Sequence, residues 1–300
     1  MTTEAQDFAD WMGEVQARVE KALERLLPAA GAVPARLHES MRYAVLEGGK
    51  RVRPLLCFAA GELSGAARDK LEVAGAAVEM IHAYSLVHDD MPCMDDDILR
   101  RGKPTVHVEF DQATALLAGD ALQSLAFQLL SDTRLAETPA AQLGMVKALA
   151  VASGSRGMAG GQAIDLASTG KSLSLPELEF MHIHKTGALI RAAVVLGAHC
   201  GEPLDAAAAE NLDRYAKCVG LAFQVVDDVL DVDASTATLG KTAGKDAMQG
   251  KATYVSAMGL ARAKEFAEDL RLQAQAAILP FGARAARLSQ LADFIVLRKF

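Results

Sequence analysis

The segment HDDMPCMDDDILRRG, His88 to Gly102, places Asp89, Asp90, Asp95, Asp96 and Asp97 within nine positions and follows them with Arg100 and Arg101. Carboxylates this dense repel one another, and oxygen-only donors of this kind suit a hard cation. Zinc would want Cys or His at tighter spacing. A calcium EF-hand loop needs Gly at its sixth position, which counted from Asp95 is Arg100. Magnesium matches better, because it keeps several waters and is shared between one or two carboxylates and substrate phosphates. Arg100 and Arg101 would then take the remaining phosphate oxygens by forked hydrogen bonds. A second cluster, Asp227, Asp228 and Asp231 in AFQVVDDVLDV, repeats the chemistry. At positions i, i+1 and i+4 of a helix these side chains fall within about 100° of one another. One acidic run is ordinarily solvated surface, but two, each set against an apolar helical face, point to a metal and a phosphate-bearing substrate.

Basic elements accompany the acids. GGKRVRP, Gly48 to Pro54, groups Lys50, Arg51 and Arg53 just before an apolar helix, where free N–H groups and guanidiniums favour an anion. HKTGALIR sets Lys185 and Thr186 before Gly187 inside an apolar helix. A glycine there costs ~1 kcal/mol relative to Ala and predicts a local break, and a lysine turned inward needs an anionic partner. LGKTAGKD, Leu239 to Asp246, imitates the tail of a P-loop, but Ser235 stands where the first Gly is required and no strand precedes it. A P-loop is excluded, while Lys241 and Lys251 stay candidates for phosphate. No GxGxxG, GxSxG or HExxH pattern occurs, which removes nucleotide hydride transfer, serine hydrolysis and zinc proteolysis as favoured readings.

The elements that must position these groups read as helices. The 300 residues are 51% apolar and 23% charged, enough for a continuous core. Alanine is abundant, aromatics are 5%, and no proline lies between Pro203 and Pro280, so the class is all-α. Breaks are expected at Pro28–Pro34, Gly48–Gly49, Leu63–Gly65, Met91–Pro104, Thr138–Pro139, Ser168–Pro176, Gly201–Pro203, Ser235–Gly250 and Leu279–Gly282, leaving roughly ten helices. None is long enough for an interdomain linker, so residues 1–300 read as a single domain. A net charge of -7 argues against a general nucleic-acid partner. Four isolated cysteines fit a reducing cytoplasm, and no uncharged apolar run approaches the ~20 residues of a membrane span.

In order and approximate spacing, GGKRVRP, HAYSLVHDDMPCMDDDILRRGKPTVH, GDAL from Gly119, GGQAIDL from Gly160, HKTGALIR, GLAFQVVDDVLDV and LGKTAGKD resemble the motifs of trans-isoprenyl diphosphate synthases, from about Arg36 onward. The resemblance implies an all-α barrel or bundle around a central cavity. It also implies a homodimer, and joining of an allylic diphosphate to isopentenyl diphosphate with Mg²⁺, three ions per site, for which Mn²⁺ substitutes. It assigns metal to Asp89 and Asp95, with Asp90 supporting, and to Asp227, with Asp228 and Asp231 acting through water. Arg100, Lys185 and Lys241 would grip the allylic diphosphate, with Thr186, Gln224 and Lys251 nearby. Lys50, Arg53, His82 and Arg101 would hold isopentenyl diphosphate. Lys185, Asp89, Asp95 and Asp227 are the expected catalytic set.

In such enzymes bulky groups upstream of the first motif, with two extra residues here occupied by Pro92 and Cys93, limit chain growth. Tyr84 and Ser85 hold those upstream positions. A helical wheel sets Ser85 on the Asp89 face and Tyr84 about 140° away; Tyr84 is the larger stopper, so the expected product is C15, farnesyl diphosphate. C20 and C10 synthases of the same family are the alternatives. A class I terpene cyclase shares the acidic chemistry but has no second diphosphate for Lys50, Arg53 and Arg101. An HD-type phosphohydrolase leaves Pro92 and the second cluster without a role, and intact aspartates at both clusters argue against an inactive partner subunit.

Overall fold

A computed structural model describes residues 3–46, 48–171, 173–233 and 252–298. The described chain is all-α apart from one two-stranded ribbon. It forms two compact units, Met1–Val146 with Leu196–Glu202, and Lys147–Val195 with Pro203–Phe300.

The first unit is built on α1 (Thr3–Leu26), α2 (Ala35–Val45), α3 (Val52–Leu63) and α4 (Arg68–Asp89). The ribbon β1 (Leu99–Arg100) and β2 (Lys103–Pro104), α5 (Val106–Glu109) and α6 (Gln112–Asp132) follow, and α7 (Pro139–Ser153) begins in this unit. Helix α4 is its axis. Every residue from Val73 to Ile81 is buried, the mark of a helix surrounded on all sides, and it packs against α1, α2, α3 and α6.

The expected break at Met91–Pro104 holds more structure than a loop. Arg101 (φ 54) and Gly102 (φ 77) are both left-handed, the backbone of a two-residue hairpin turn that pairs Leu99 with Pro104 and Arg100 with Lys103. An Arg-Gly pair lacks the Asn-Gly or Asp-Gly signature, so only the folded context reveals the turn. The start of α6 is a further break that periodicity hides. The Asp111 carboxylate caps it by accepting the Thr114 N–H at 2.7 Å. Among the described residues α6 is the one helix with the length and apolarity of a membrane span. Its Ala115, Ala118, Leu122 and Ala126 are buried, while Leu116 and Leu117 are exposed.

The second unit contains α8 (Met158–Ser168), α9 (Leu175–His182), a π-helical turn (Ile183–Gly187), α10 (Ala188–His199) as far as Val195, and α11 (Ala206–Asp233). It continues through α12 (Tyr254–Met258), α13 (Leu260–Ile278), a 3₁₀ turn (Leu279–Ala285) and α14 (Ala286–Leu297). A capping box starts α9, with the Ser174 N–H donating to Glu177 Oε2 at 2.8 Å. Helix α11 is the axis here, packed against α12, α13, α14 and the π turn. Leu221, Val225, Val226 and Val229 of α11 share a core with Leu178, Met181, Tyr254, Ala263, Ala267 and Leu270. Tyr254 is fully buried, its ring 5.5 Å from His182 and 5.9 Å from Phe266. Burial of a side chain of this size contributes ~1.5–3 kcal/mol. The π turn lies where Gly187 predicts a break, a local widening common at functional sites. The expected break at Ser235–Gly250 lies outside the described residues.

Candidate functional site

In the first unit the acidic cluster is shaped by its own backbone. Asp90 closes α4, its N–H reaching Leu86 O at 3.0 Å, and the chain then doubles back. The Asp95 N–H donates to Asp89 O at 2.8 Å, Asp96 N–H to Met91 O at 3.2 Å and Asp97 N–H to Asp90 O at 3.2 Å. Asp96 takes φ 52 to make this possible. The result brings residues 89 and 95 together with both side chains partly accessible. Asp90 points elsewhere: it is 3% exposed, and Arg100 Nε and Nη2 clasp it at 2.7 and 2.5 Å. Burial raises the Asp90 pKa while Arg100 opposes that rise. Arg100 is likewise penalised by burial, but Asp90 outweighs this and holds the guanidinium charged. Asp90 and Arg100, assigned from sequence to metal and to diphosphate, thus satisfy one another.

The two residues upstream of the first cluster are held in different ways. The Tyr84 ring meets His88 edge-on at 5.8 Å, and its hydroxyl, raised in pKa by burial, is hydrogen-bonded to Gln123 of α6. Ser85 instead turns back, its Oγ donating to His82 O at 2.9 Å. His88 docks on α6 at Leu116 O, 3.0 Å away. A Cβ at Gly119 would lie 2.1 Å from His88 Nε2, which accounts for the glycine in GDAL.

The basic residues of the first unit divide into two kinds. Arg51 is structural: left-handed (φ 53) and 5% exposed, it donates to Glu79 at 2.8 Å, Glu20 at 2.7 Å and Val45 O at 2.7 Å. It therefore leaves the anion-binding group in which its spacing had placed it. Gln16 pins the neighbouring carbonyl, Lys50 O, at 2.9 Å. Arg101 lies against Gly48 and Gly49; a Cβ on Gly49 (φ 94) would meet Arg101 Nη2 at 2.7 Å. His82 sits among these cations. Burial first, then Arg53, Arg101, Arg100 and Arg51, push its pKa well below the usual histidine range. Arg53, His82 and Arg101, named together from the sequence, thus converge around a neutral imidazole. A neutral imidazole can still donate one hydrogen bond to an anion.

In the second unit the π turn presents Lys185, whose Nζ pairs with Asp165 of α8 at 2.5 Å. This is the anionic partner an inward lysine requires, supplied by GGQAIDL. A Cβ on Gly161 would stand 2.2 Å from Lys185 N, so α8 meets the turn backbone to backbone. Thr186 Oγ1 donates to Gln224 Oε1 at 3.1 Å, Gln224 Nε2 donates to Asp228 Oδ1 at 2.9 Å, and Tyr254 N–H donates to Asp228 Oδ2 at 2.8 Å. Thr186 and Gln224 are therefore joined, and Asp228, 2% exposed, is their anchor. Asp231 is 4% exposed. Asp227 is the open member, its side chain 42% exposed and paired with Arg298. Lys241 and Lys251 lie outside the described residues.

The donor set fits a hard divalent ion. Among the described residues no three His, Cys, Asp or Glu side chains form a closed metal cage. Of the carboxylates assigned to metal, the open ones are Asp89 and Asp95 in one unit and Asp227 in the other. One or two carboxylates per ion, the remainder being water and phosphate, is the coordination Mg²⁺ favours.

Sequence reasoning missed two participants, Asp165 and Arg298, and misplaced a third, Arg51. Asp165 carries a visible signal, as the sole charged residue of Gly157–Ser168. Arg51 and Arg298 carry none, because their partners are 28 and 71 residues away.

Comparison with known proteins agrees with this chemistry. The polyprenyl synthetase family profile matches residues 34–277. The chain is 52% identical over 285 residues to a probable farnesyl diphosphate synthase of Bradyrhizobium diazoefficiens, spanning 94% of this chain and 85% of that one. It is 47% identical over 299 residues to a chloroplastic geranylgeranyl pyrophosphate synthase of Capsicum annuum, spanning 99% and 80%. Its fold is similar to that of a farnesyl/geranylfarnesyl diphosphate synthase from Zymomonas mobilis, with TM-score 0.88, 42% identity and coverage of 97% and 99%.

Proposed function

The chain belongs to the polyprenyl synthetase family and is a prenyltransferase, and from that premise we propose that it condenses isopentenyl diphosphate with dimethylallyl or geranyl diphosphate to give (E,E)-farnesyl diphosphate and inorganic diphosphate. The observation that carries the two-substrate reading is the group of Arg53, Arg101 and neutral His82, with Lys50 close in sequence, in the same unit as Asp89 and Asp95. A single-diphosphate cyclase has no use for it. Asp89, Asp95 and Asp227 would hold Mg²⁺, and Asp228 and Asp231 support Asp227 from buried positions. Mg²⁺ bound there, three ions per site and replaceable by Mn²⁺, would neutralise the charge that builds on the departing diphosphate.

The protein's own groups do the rest. Lys185, held by Asp165, stabilises the same leaving group, with Arg100, Thr186, Gln224, Lys241 and Lys251 contributing to allylic diphosphate binding. The C–O bond of the allylic diphosphate breaks, the double bond of isopentenyl diphosphate attacks the cation, and one proton passes to the released diphosphate. No histidine base is required, because the released diphosphate takes the proton. An apolar cavity of the kind the family resemblance implies would keep water from the cation.

The C15 length is supported by the names of similar proteins and by Tyr84, fixed by His88 and Gln123; the geranylgeranyl relative is why a test is needed. The expected assembly is a cytoplasmic homodimer, in which a second copy covers Leu116 and Leu117 on α6. Sedimentation should give twice the chain mass. Incubation with Mg²⁺, isopentenyl diphosphate and each starter, followed by chromatography, should yield farnesyl diphosphate. Product from one prenyl diphosphate alone would indicate a cyclase. Tyr84→Ala should lengthen the product to C20 or beyond, and an unchanged C15 product removes Tyr84 as the floor.

A further inference from the structure

Arg298 follows the end of α14 and returns to α11. Its Nη2 donates to Asp227 Oδ1 at 2.6 Å and to Phe223 O at 3.0 Å, and its guanidinium lies over the Phe223 ring, 4.1 Å from the centroid. Phe223 and Asp227 are separated by one helical turn and so share a face. The two partners differ sharply in access: the Arg298 side chain is 4% exposed and that of Asp227 is 42%. The guanidinium is the fixed component and the carboxylate the open one. Arg298 Nε is buried and without a partner among the described residues. A cation placed only for stability would satisfy that donor, since an orphaned buried N–H costs roughly 1–3 kcal/mol.

We infer that Arg298 is a positioning residue for Asp227, an inference resting on the Mg²⁺-diphosphate reading above. By occupying Oδ1 it fixes the carboxylate rotamer and leaves Oδ2 for the divalent cation. Groups behind a metal ligand act in this way, by setting its orientation before the ion arrives. The alternative is that Arg298 is a competitor, a tethered cation that fills the Asp227 site until metal displaces it. The hold by ring, carbonyl and carboxylate favours a guanidinium that stays. The two roles predict opposite responses to its removal.

The test is calorimetric titration of the full-length enzyme with inorganic pyrophosphate at a series of Mg²⁺ concentrations. Arg298→Met should raise the Mg²⁺ needed for half-maximal pyrophosphate binding by about 10–100-fold. Arg298→Lys keeps the charge without the fork and should give a smaller rise. In an Asp227→Asn background, Arg298→Met should add no further shift. A folded Arg298→Met protein with an unchanged or lower Mg²⁺ requirement overturns the inference, the lower value identifying a competitor. If Arg298→Met does not fold, an unchanged requirement in Arg298→Lys overturns it equally. Wild-type protein that binds no pyrophosphate with Mg²⁺ removes the functional reading as well, whereas normal wild-type binding with unaltered variants removes only the role of Arg298.

Discussion

Asp89-Asp90 in the first unit and Asp227-Asp228 in the second are the same dipeptide divided in the same way and secured by different chemistry. In each pair the first aspartate keeps access to solvent and the second is buried, 3% exposed for Asp90 and 2% for Asp228. Asp90 is neutralised by a guanidinium ten residues along the chain. Asp228 accepts from neutral amides among its partners, those of Gln224 and the Tyr254 backbone. In the second unit the guanidinium goes to the open member instead, from Arg298 to Asp227. The buried aspartate therefore acts as an anchor that aims its neighbour, and what the anchor needs is satisfaction of both oxygens, not a particular partner. The backbones differ as well. The three non-glycine residues with positive φ among the described residues, Arg51, Asp96 and Arg101, all lie in the first unit, while the second cluster stays on an unbroken helix. Strain of about 1–3 kcal/mol per residue persists where surrounding contacts overdetermine it.

The largest effect should come from the open members. Asp89→Ala and Asp227→Ala should each lower turnover by about 10³-fold or more, and excess chelator should abolish it in the wild type. Full activity in chelator, or in the double variant, would break the likeness between the two pairs. The next effect separates the anchors. Among the described residues, Asp90→Asn leaves the Arg100 charge with only the more distant Asp97 carboxylate, 4.0 Å away, in direct ion-pair range and should cost about 3 kcal/mol in urea unfolding, allowing for the partial exposure of Arg100. Asp228→Asn sets an amide NH₂ against Gln224 Nε2 or the Tyr254 N–H and should cost about 1–2 kcal/mol. Equal losses would show that the ionic and amide anchors are interchangeable in strength.

The smallest effect is a pH dependence. Burial, reinforced by Lys185, lowers the His182 pKa to about 4. The unfolded chain then takes up a proton near pH 6.5 that the folded chain refuses until about pH 4. Stability is complete above the unfolded value and falls as the pH drops through that window, by about 2 kcal/mol between pH 6.5 and 5. His182→Phe should flatten this slope in denaturant titrations at pH 7 and 5. An unaltered slope would assign the acid sensitivity to other groups, with His82 of the first unit the next to test.

Much of the candidate site was legible because its logic is local. The i, i+1, i+4 spacing of Asp227, Asp228 and Asp231 and the proline after Asp90 act over a few residues, so helix and turn geometry follow from composition alone. Gly187 predicts a disturbed helix, and a π turn is found there. The Asp95–Asp89 closure and the Arg101-Gly102 hairpin lie in a segment already marked as a break, but their exact bonds depend on left-handed residues whose side chains do not advertise that conformation. Arg51 shows where type and spacing mislead: in GGKRVRP it is indistinguishable from Lys50 and Arg53, yet packing turns it inward to Glu79.

By itself the chain of residues determined the all-α class, most helix breaks, the two acidic clusters, their preference for a hard cation and the family. Tertiary structure alone decided which charge meets which: Lys185 with Asp165, Arg51 with Glu79 and Glu20, and Arg298 with Asp227. The physical reason is degeneracy. With 38 acidic and 31 basic side chains, many pairings are chemically equivalent. Only the packing of helix faces removes the alternatives, by burying one partner where desolvation makes every other choice costly.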